Sequence, residues 1–197
     1  MSTPILRVCV FCGSSFGNRT AYRDAANELA AALTEMGYSL VYGGAHVGLM
    51  GLIADQMLSA GAEVIGVIPR QLQQKEIAHR GLSRLHVVET MHERKAMMAD
   101  LADAFVALPG AYGTLDELFE IITWAQLGIH TKPIGILNIE GYYDHLLAFL
   151  DSCVANGLLK QSNRELFLVD VNAKRLLDRM AGHHPAPVAK WIGLENR

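Results

Sequence analysis

Ala104-Phe105-Val106-Ala107-Leu108-Pro109-Gly110-Ala111-Tyr112-Gly113-Thr114-Leu115-Asp116-Glu117 is the stretch that decides the fold. Its first five residues form an apolar run of strand length. Pro109 and Gly110 punctuate that run, and an amphipathic pattern from Leu115 to Leu127 follows. The order is strand, glycine-rich turn, helix start. N–H groups in the first turn of a helix lack an intrahelical partner and carry a partial charge of roughly +0.5, so such a turn binds phosphate readily. The residues also allow a plainer reading, an ordinary turn in which Gly110 and Gly113 supply φ freedom and Thr114 is the N-cap. Asp116, Glu117 and Glu120 would then only favour the helix dipole.

The same alternation extends to both sides. Ile5 to Phe11 reads as a buried strand, followed by the turn Cys12-Gly13-Ser14-Ser15-Phe16-Gly17-Asn18. Tyr22, Ala25, Ala26, Leu29, Ala32, Leu33 and Met36 keep helical spacing until Gly37 stops them. Tyr38 to Tyr42 is a second strand closed by Gly43-Gly44, Glu63 to Ile68 a third ended by Pro69, and Leu85 to Val88 a weaker fourth. Ala104 to Leu108 and Ile134 to Ile139 complete the set. Helices are expected over Leu49 to Ala60, Lys95 to Asp103, Thr114 to Gly128 and Tyr142 to Asn156. Near-continuous apolar strands separated by helices predict an α/β fold, a doubly wound, mostly parallel sheet with helices on both faces. Ligands collect beyond the carboxyl ends of such strands, where the glycine turns fall. No repeat or linker interrupts residues 1–181, which read as one nucleotide-binding domain. Residues 182–197, with His183-His184-Pro185-Ala186-Pro187, read as an irregular tail.

Composition narrows the function classes. At 197 residues, 51% apolar and 19% charged, the chain is globular and long enough for a sizeable core. A net charge of −3 argues against broad nucleic-acid binding, so any phosphate site must be local. Cys9, Cys12 and Cys153 are an odd count that fits reduced cytosolic thiols better than a disulfide framework. The start Met-Ser-Thr-Pro-Ile-Leu-Arg lacks a signal-peptide core, and no stretch reaches the ~18 apolar residues of a membrane span. A soluble, cytoplasmic protein without membrane partners is expected.

Several tempting motifs fail. Gly13-Ser14-Ser15-Phe16-Gly17 matches the G-x-S-x-G elbow, but it follows the first strand; Ser14 and Ser15 fit better as caps of the next helix or as phosphate contacts. Gly43-Gly44-Ala45-His46-Val47-Gly48 is followed by no Gly-Lys-Ser/Thr, which rejects an ATPase loop, and it does not satisfy G-x-G-x-x-G. His92-Glu93 would need a histidine at 96 for a zincin helix, where Ala96 stands. The eight histidines show no ligand spacing, so neither metal nor cofactor is expected. Arg94 and Lys95, in Met91-His92-Glu93-Arg94-Lys95, fall at the predicted start of a helix, where the dipole disfavours cations by ~0.3–1 kcal/mol and a compensating anion is called for.

Met91-His92-Glu93-Arg94-Lys95 together with Pro109-Gly110-Ala111-Tyr112-Gly113-Thr114-Leu115-Asp116-Glu117 closely resembles the paired signature of the LONELY GUY (LOG) family. Further similarity lies in Phe11-Cys12-Gly13-Ser14-Ser15, Val41-Tyr42-Gly43-Gly44, Gly48-Leu49-Met50-Gly51 and Ile122 to His130, covering most of Phe11 to Tyr143. The resemblance implies a Rossmann-like fold and hydrolysis of the N-glycosidic bond of a cytokinin-type, N6-modified adenosine 5′-monophosphate to free base and ribose 5-phosphate. It implies Arg94 and Glu117 as the catalytic pair. Ala111, Tyr112, Gly113 and Thr114 would bind phosphate, with Gly110, Leu115 and Asp116 in the same motif and Ser14, Gly43 and Gly44 in neighbouring turns. Lys95, Glu76 and Thr123 match nucleotide-contacting positions, and a homodimer is implied, for which Met97, Met98 and Leu101 offer an apolar surface. The family's frequent label "lysine decarboxylase" finds no support in a recognisable pyridoxal-phosphate lysine site.

Two departures stand out: Ala111 replaces the usual second glycine of Pro-Gly-Gly, and His46 occupies a position where a small residue is common. If position 111 required a left-handed backbone, Ala would cost roughly 1–2 kcal/mol. The competing functions are a general AMP or nucleoside-monophosphate glycosidase and a non-catalytic nucleotide or cofactor carrier.

Overall fold

The computed structural model describes residues 5–75 and 77–183. The elements are β1 (Arg7–Phe11), α1 (Thr20–Glu35), β2 (Ser39–Tyr42), α2 (Gly48–Ser59), β3 (Val64–Pro69), α3 (Arg70–Gln74), β4 (Arg84–Val88) and α4 (Met91–Leu101). They continue with β5 (Ala104–Ala107), α5 (Tyr112–Gln126), β6 (Ile134–Leu137), α6 (Asp144–Ala155), α7 (Gln161–Arg164), β7 (Phe167–Asp170) and α8 (Ala173–Ala181). The strands form one sheet in the order β4-β3-β2-β1-β5-β6-β7, with every pairing parallel.

Side-chain alternation along the strands divides the interior into two layers. Val8, Val10 and Cys12 join Leu40, Tyr42, Ala104 and Val106 on the face covered by α1, α2 and α8. Cys9, Phe11, Val41, Phe105 and Ala107 face the opposite layer, under α4, α5 and the apolar side of α6. Both faces are therefore dry, which is why the strands read as unbroken apolar runs.

The chain winds outward from β1 to β4, returns through α4, and winds the other way from β5. The strand order thus reverses between β1 and β5, which are neighbours. The segment after β1 leads to α1 on one face, and the segment after β5 leads to α5 on the other. Their divergence opens a crevice at the strands' carboxyl ends.

Three local details differ from expectation. α4 begins at Met91, because Thr90 and Glu93 form a reciprocal capping box. α5 begins at Tyr112 with Ala111 as N-cap, so Thr114 lies inside the first turn. Ser14 and Ser15 cap no helix: α1 starts at Thr20 behind Arg19, and Ser15 Oγ accepts from Gly17 N at 3.2 Å. α7, β7 and α8 lie beyond the last element expected. The tail predicted from Gly182 lies outside the described residues after His183. Cys9, Cys12 and Cys153 are free thiols, and no helix of the described residues is long and apolar enough to cross a membrane.

Candidate active site

The crevice between the β1 and β5 loops is a cleft of about 480 Å³, the size of a small-molecule site. Its walls come from Gly13 to Asn18 on one side and from Pro109 to Ala111 with the first turns of α5 on the other. Arg94 from α4 and Leu49 and Met50 from α2 close it.

The buried stripe of α5 runs through Thr114, Glu117, Leu118, Ile121 and Ala125, at helical spacing. Its apolar members enter the core, and its first two sit at the carboxyl ends of the strands. An amphipathic helix thereby carries a threonine and a carboxylate into the cleft. On α4 the inward face carries Arg94 one turn ahead of Met98. The two polar groups meet: Arg94 Nη1 lies 2.9 Å from Glu117 Oε1. Arg94 Nε donates to the Val67 carbonyl at 3.2 Å. On its third side a Cβ at residue 43 would overlap Nη2, so Gly43 makes room for the guanidinium. Burial pushes the Glu117 carboxyl above its ordinary value, and the Arg94 charge offsets only part of that rise. Cys12 also lines the cleft, and burial followed by the Glu117 charge raises its thiol, which stays protonated near neutrality.

The turn before α5 is compact. A Cβ at Gly110 would overlap Thr114 Oγ1 and come within 3.0 Å of Gly13 N, so close approach, not a left-handed φ, requires glycine there. Gly110 and Gly113 both lack positive φ, contrary to the plainer reading of this turn. Ala111 has φ −106° and ψ −138°, outside the left-handed region. The N–H groups of α5's first turn have no intrahelical partners, and they open beside Thr114, which is buried.

Of the residues singled out in the sequence, Arg94, Glu117, Ser14, Gly110, Ala111, Gly113 and Thr114 line this cleft. Others form a separate surface. Lys95 bonds Asp116 and Glu120, each at 3.1 Å, and burial works against its charge while these bonds outweigh it and raise its pKa. The compensating anions near the start of α4 are thus carboxylates of α5. Thr123, on the same exposed side of α5, donates to the Phe119 carbonyl at 2.6 Å. Tyr112 is 91% exposed, and with Leu115 it borders a neighbouring depression. Gly44 holds the segment beyond Glu76, accepting from His79 N at 2.9 Å; Glu76 itself lies outside the described residues. Of the expected dimer surface, Met98 is buried in its own core and Met97 and Leu101 are half-buried. No group of three or more potential metal-ligating side chains was found among the described residues. Phe16, Leu72 and Tyr142 also line the cleft. The sequence signal for Phe16 was its place after a central strand; Leu72 and Tyr142 carried none, since distant elements bring them in.

Comparison with known proteins bears on the family and the fold. Residues 50–180 match a family described as "Possible lysine decarboxylase". Cytokinin riboside 5′-monophosphate phosphoribohydrolase LOG5 of Arabidopsis thaliana is 51% identical over 179 residues, covering 91% of this chain and 78% of that protein. The probable phosphoribohydrolase LOGL1 of Oryza sativa subsp. japonica is 52% identical over 190 residues, covering 94% and 85%. In three dimensions the chain is similar to the molybdenum cofactor binding protein of Rippkaea orientalis, with a TM-score of 0.69 at 16% identity over 92% of this chain and 98% of that one. The molybdenum cofactor carrier protein of Chlamydomonas reinhardtii gives 0.69 at 20% identity over 91% and 99%. At those identities the likeness is one of fold. Half of all aligned residues shared along nine-tenths of the chain is a closer relation, and by it this chain belongs to the LOG family.

Proposed function

We propose that this protein hydrolyses the N-glycosidic bond of a cytokinin-type adenosine 5′-monophosphate, releasing the base and ribose 5-phosphate. One observation carries the proposal: a buried carboxylate, Glu117, shares a single cleft with the open N-terminus of the helix that bears it. The phosphate would sit on the N–H groups of Ala111 to Thr114, and its fixed position would orient the sugar. Glu117, between one and two turns further in, would face the ribose.

In the reaction a water oxygen bonds to C1′ as the bond from C1′ to the base nitrogen breaks. The electron pair leaves with the base, which is protonated, and the attacking water loses a proton. Positive charge develops on the ribosyl ring, and an ionised Glu117 stabilises it and orients the water, by analogy with glycosidases. Arg94 has its Nε on a carbonyl and Nη1 on Glu117. That supports a role in holding Glu117 ionised and aimed, rather than gripping phosphate itself. Leu49, Met50 and Leu72 in the same cleft favour a base with an apolar N6 substituent over plain AMP. We also propose that the protein acts as a cytoplasmic homodimer, with Met97 and Leu101 on the apolar contact.

The test is chromatography with mass detection after incubation with AMP and N6-isopentenyl-AMP, beside a Glu117→Gln control. Base and ribose 5-phosphate should appear, faster from the N6-modified nucleotide, and vanish in the control while nucleotide binding persists. Unaltered turnover by the Gln variant removes Glu117 from the mechanism. Binding without cleavage by the unmodified protein replaces the hydrolase with a carrier.

A further inference from the structure

Every carbonyl oxygen from Leu108 to Ala111 accepts a hydrogen bond. Leu108 O takes Tyr143 Oη at 2.7 Å, Pro109 O takes Gly13 N at 3.1 Å, Gly110 O takes Tyr142 Oη at 2.8 Å, and Ala111 O takes Leu115 N at 3.0 Å. Two of these donors are backbone amides of the turn's immediate surroundings. The other two are phenols from a distant segment, the connection between β6 and α6.

That connection has an uncommon backbone. Glu140 sits at φ 50°, ψ 34°, the one positive-φ non-glycine residue among those described, and Gly141 follows at φ 71°. Strain of this kind persists only where surrounding contacts impose it, and it concentrates at functional sites. Here the contacts are visible. Asn138 Oδ1 accepts from Tyr143 N at 2.7 Å, and its Nδ2 donates to Asp144 at 2.7 Å. Glu140 pairs at 2.7 Å with Arg19, the residue that follows the opposite cleft wall in the chain. Tyr142 stacks edge-on against Tyr22 of that wall at 5.5 Å and against Tyr143 at 4.9 Å.

The peptide plane supplies the consequence. In a trans peptide the C=O of one residue and the N–H of the next point in opposite directions. Holding the Gly110 carbonyl on Tyr142 therefore fixes the direction of the Ala111 N–H. Gly110 lacks the Cβ that would restrict rotation of this plane. Unheld, the plane can turn and present a carbonyl oxygen to an incoming anion.

We propose that Tyr142 is a positioning residue for phosphate recognition: its hydroxyl locks the Gly110–Ala111 peptide so that the turn offers only N–H groups to the anion. The left-handed turn at Glu140 and Gly141 delivers the phenol to that carbonyl. This rests on the phosphate reading of the cleft and extends it to a residue outside the Pro109–Glu117 motif.

Tyr142→Phe tests it, because the ring and its edge contacts stay while the hydroxyl goes. Binding of inorganic phosphate, ribose 5-phosphate, AMP and adenosine is measured by calorimetry, with steady-state kinetics on N6-isopentenyl-AMP. The three phosphate-bearing probes should weaken by a common factor of roughly three to ten, the worth of one hydrogen bond. KM should rise by the same factor with kcat within about twofold, and adenosine binding should not change. Equal weakening of adenosine and AMP would reveal general damage to the cleft and overturn the proposal. So would unchanged phosphate affinity, or a fall in kcat at constant KM. A wild-type protein that binds the phosphate-bearing probes yet cleaves no nucleotide overturns the hydrolase reading, while the affinity ratio still decides Tyr142. A wild-type protein that binds none of them overturns both.

Discussion

Arg94 Nη1 stands 2.9 Å from Glu117 Oε1, with only 10% and 9% of the two side chains exposed. Burial penalises the carboxylate more than the guanidinium rewards it, so Glu117 titrates above its ordinary value of 4.5. If the ionised form does the work, the acid limb of kcat/KM lies above 4.5. Arg94→Gln removes the leading stabilising charge and moves that limb further up. A pH–rate profile with its acid limb at or below 4.5 would be incompatible with Glu117 as the essential carboxylate. Stability follows the same sign. A carboxyl whose folded value is raised holds its proton better in the folded state, so its contribution is fully present below the unfolded value and is lost as pH rises through the folded one. Glu117→Gln should therefore flatten the pH dependence of Tm in that window.

Gly43 should prove as sensitive as a catalytic position without touching chemistry. A Cβ there overlaps Arg94 Nη2, so Gly43→Ala must displace the guanidinium that aims Glu117. A shift of about 1 Å in such a group costs on the order of a hundredfold in rate. We expect kcat/KM to fall by roughly that factor while the far-ultraviolet spectrum is kept. Wild-type activity in Gly43→Ala would show that Arg94 adapts freely and does not fix Glu117.

The fold was legible because both faces of the sheet are covered: strands such as Ala104 to Leu108 and Tyr38 to Tyr42 must then be apolar throughout, and the glycine turns mark their carboxyl ends. The Arg94 and Glu117 pair was reachable through motif resemblance, but not their contact, which depends on α4 and α5 packing side by side. Two further local signals are present in the sequence. Thr90-Met91-His92-Glu93 is a capping-box pattern that starts α4 four residues before Lys95. Ala173, Leu176, Leu177 and Met180 carry the spacing of α8 behind the Asn172 cap. The sequence marks Tyr142 only as a helix start. Its role depends on a left-handed turn at Glu140, which side-chain chemistry gives no reason to expect.

Ala111, the departure from the family's usual glycine, does not sit in a left-handed backbone. Its φ of −106° lies outside the left-handed region, so a left-handed strain that glycine would relieve does not arise. Ala111→Gly should therefore leave kcat/KM within about twofold. The extra unfolded-state freedom of glycine, about 0.4–1 kcal/mol, is partly offset because glycine is the better N-cap. Steady-state kinetics on the variant decide it. A large gain in activity would mean that the methyl group, not the backbone, obstructs the anion.

Asp170 is the shared acceptor that joins β7 to α8. Its side chain is 4% exposed and accepts from Arg175 Nε at 2.8 Å, from Arg179 at 2.9 Å, and from the backbone amides of Val171 and Asn172 at 2.8 and 3.0 Å. Arg175 first holds its carboxyl well below the usual carboxylate range; burial opposes this, and the Asn172, Arg179 and Val171 bonds reinforce it. The folded value is depressed, so the stabilisation is fully present above the unfolded value near 3.8 and drains away as pH falls below it. Asp170→Ala leaves two amides and two guanidinium groups without this acceptor and should cost roughly 2–3 kcal/mol at neutral pH. The difference in Tm between wild type and variant should shrink as pH is lowered below about 4. A difference that stays constant down to strongly acidic pH would show that packing, rather than the ionised carboxylate, holds β7 to α8.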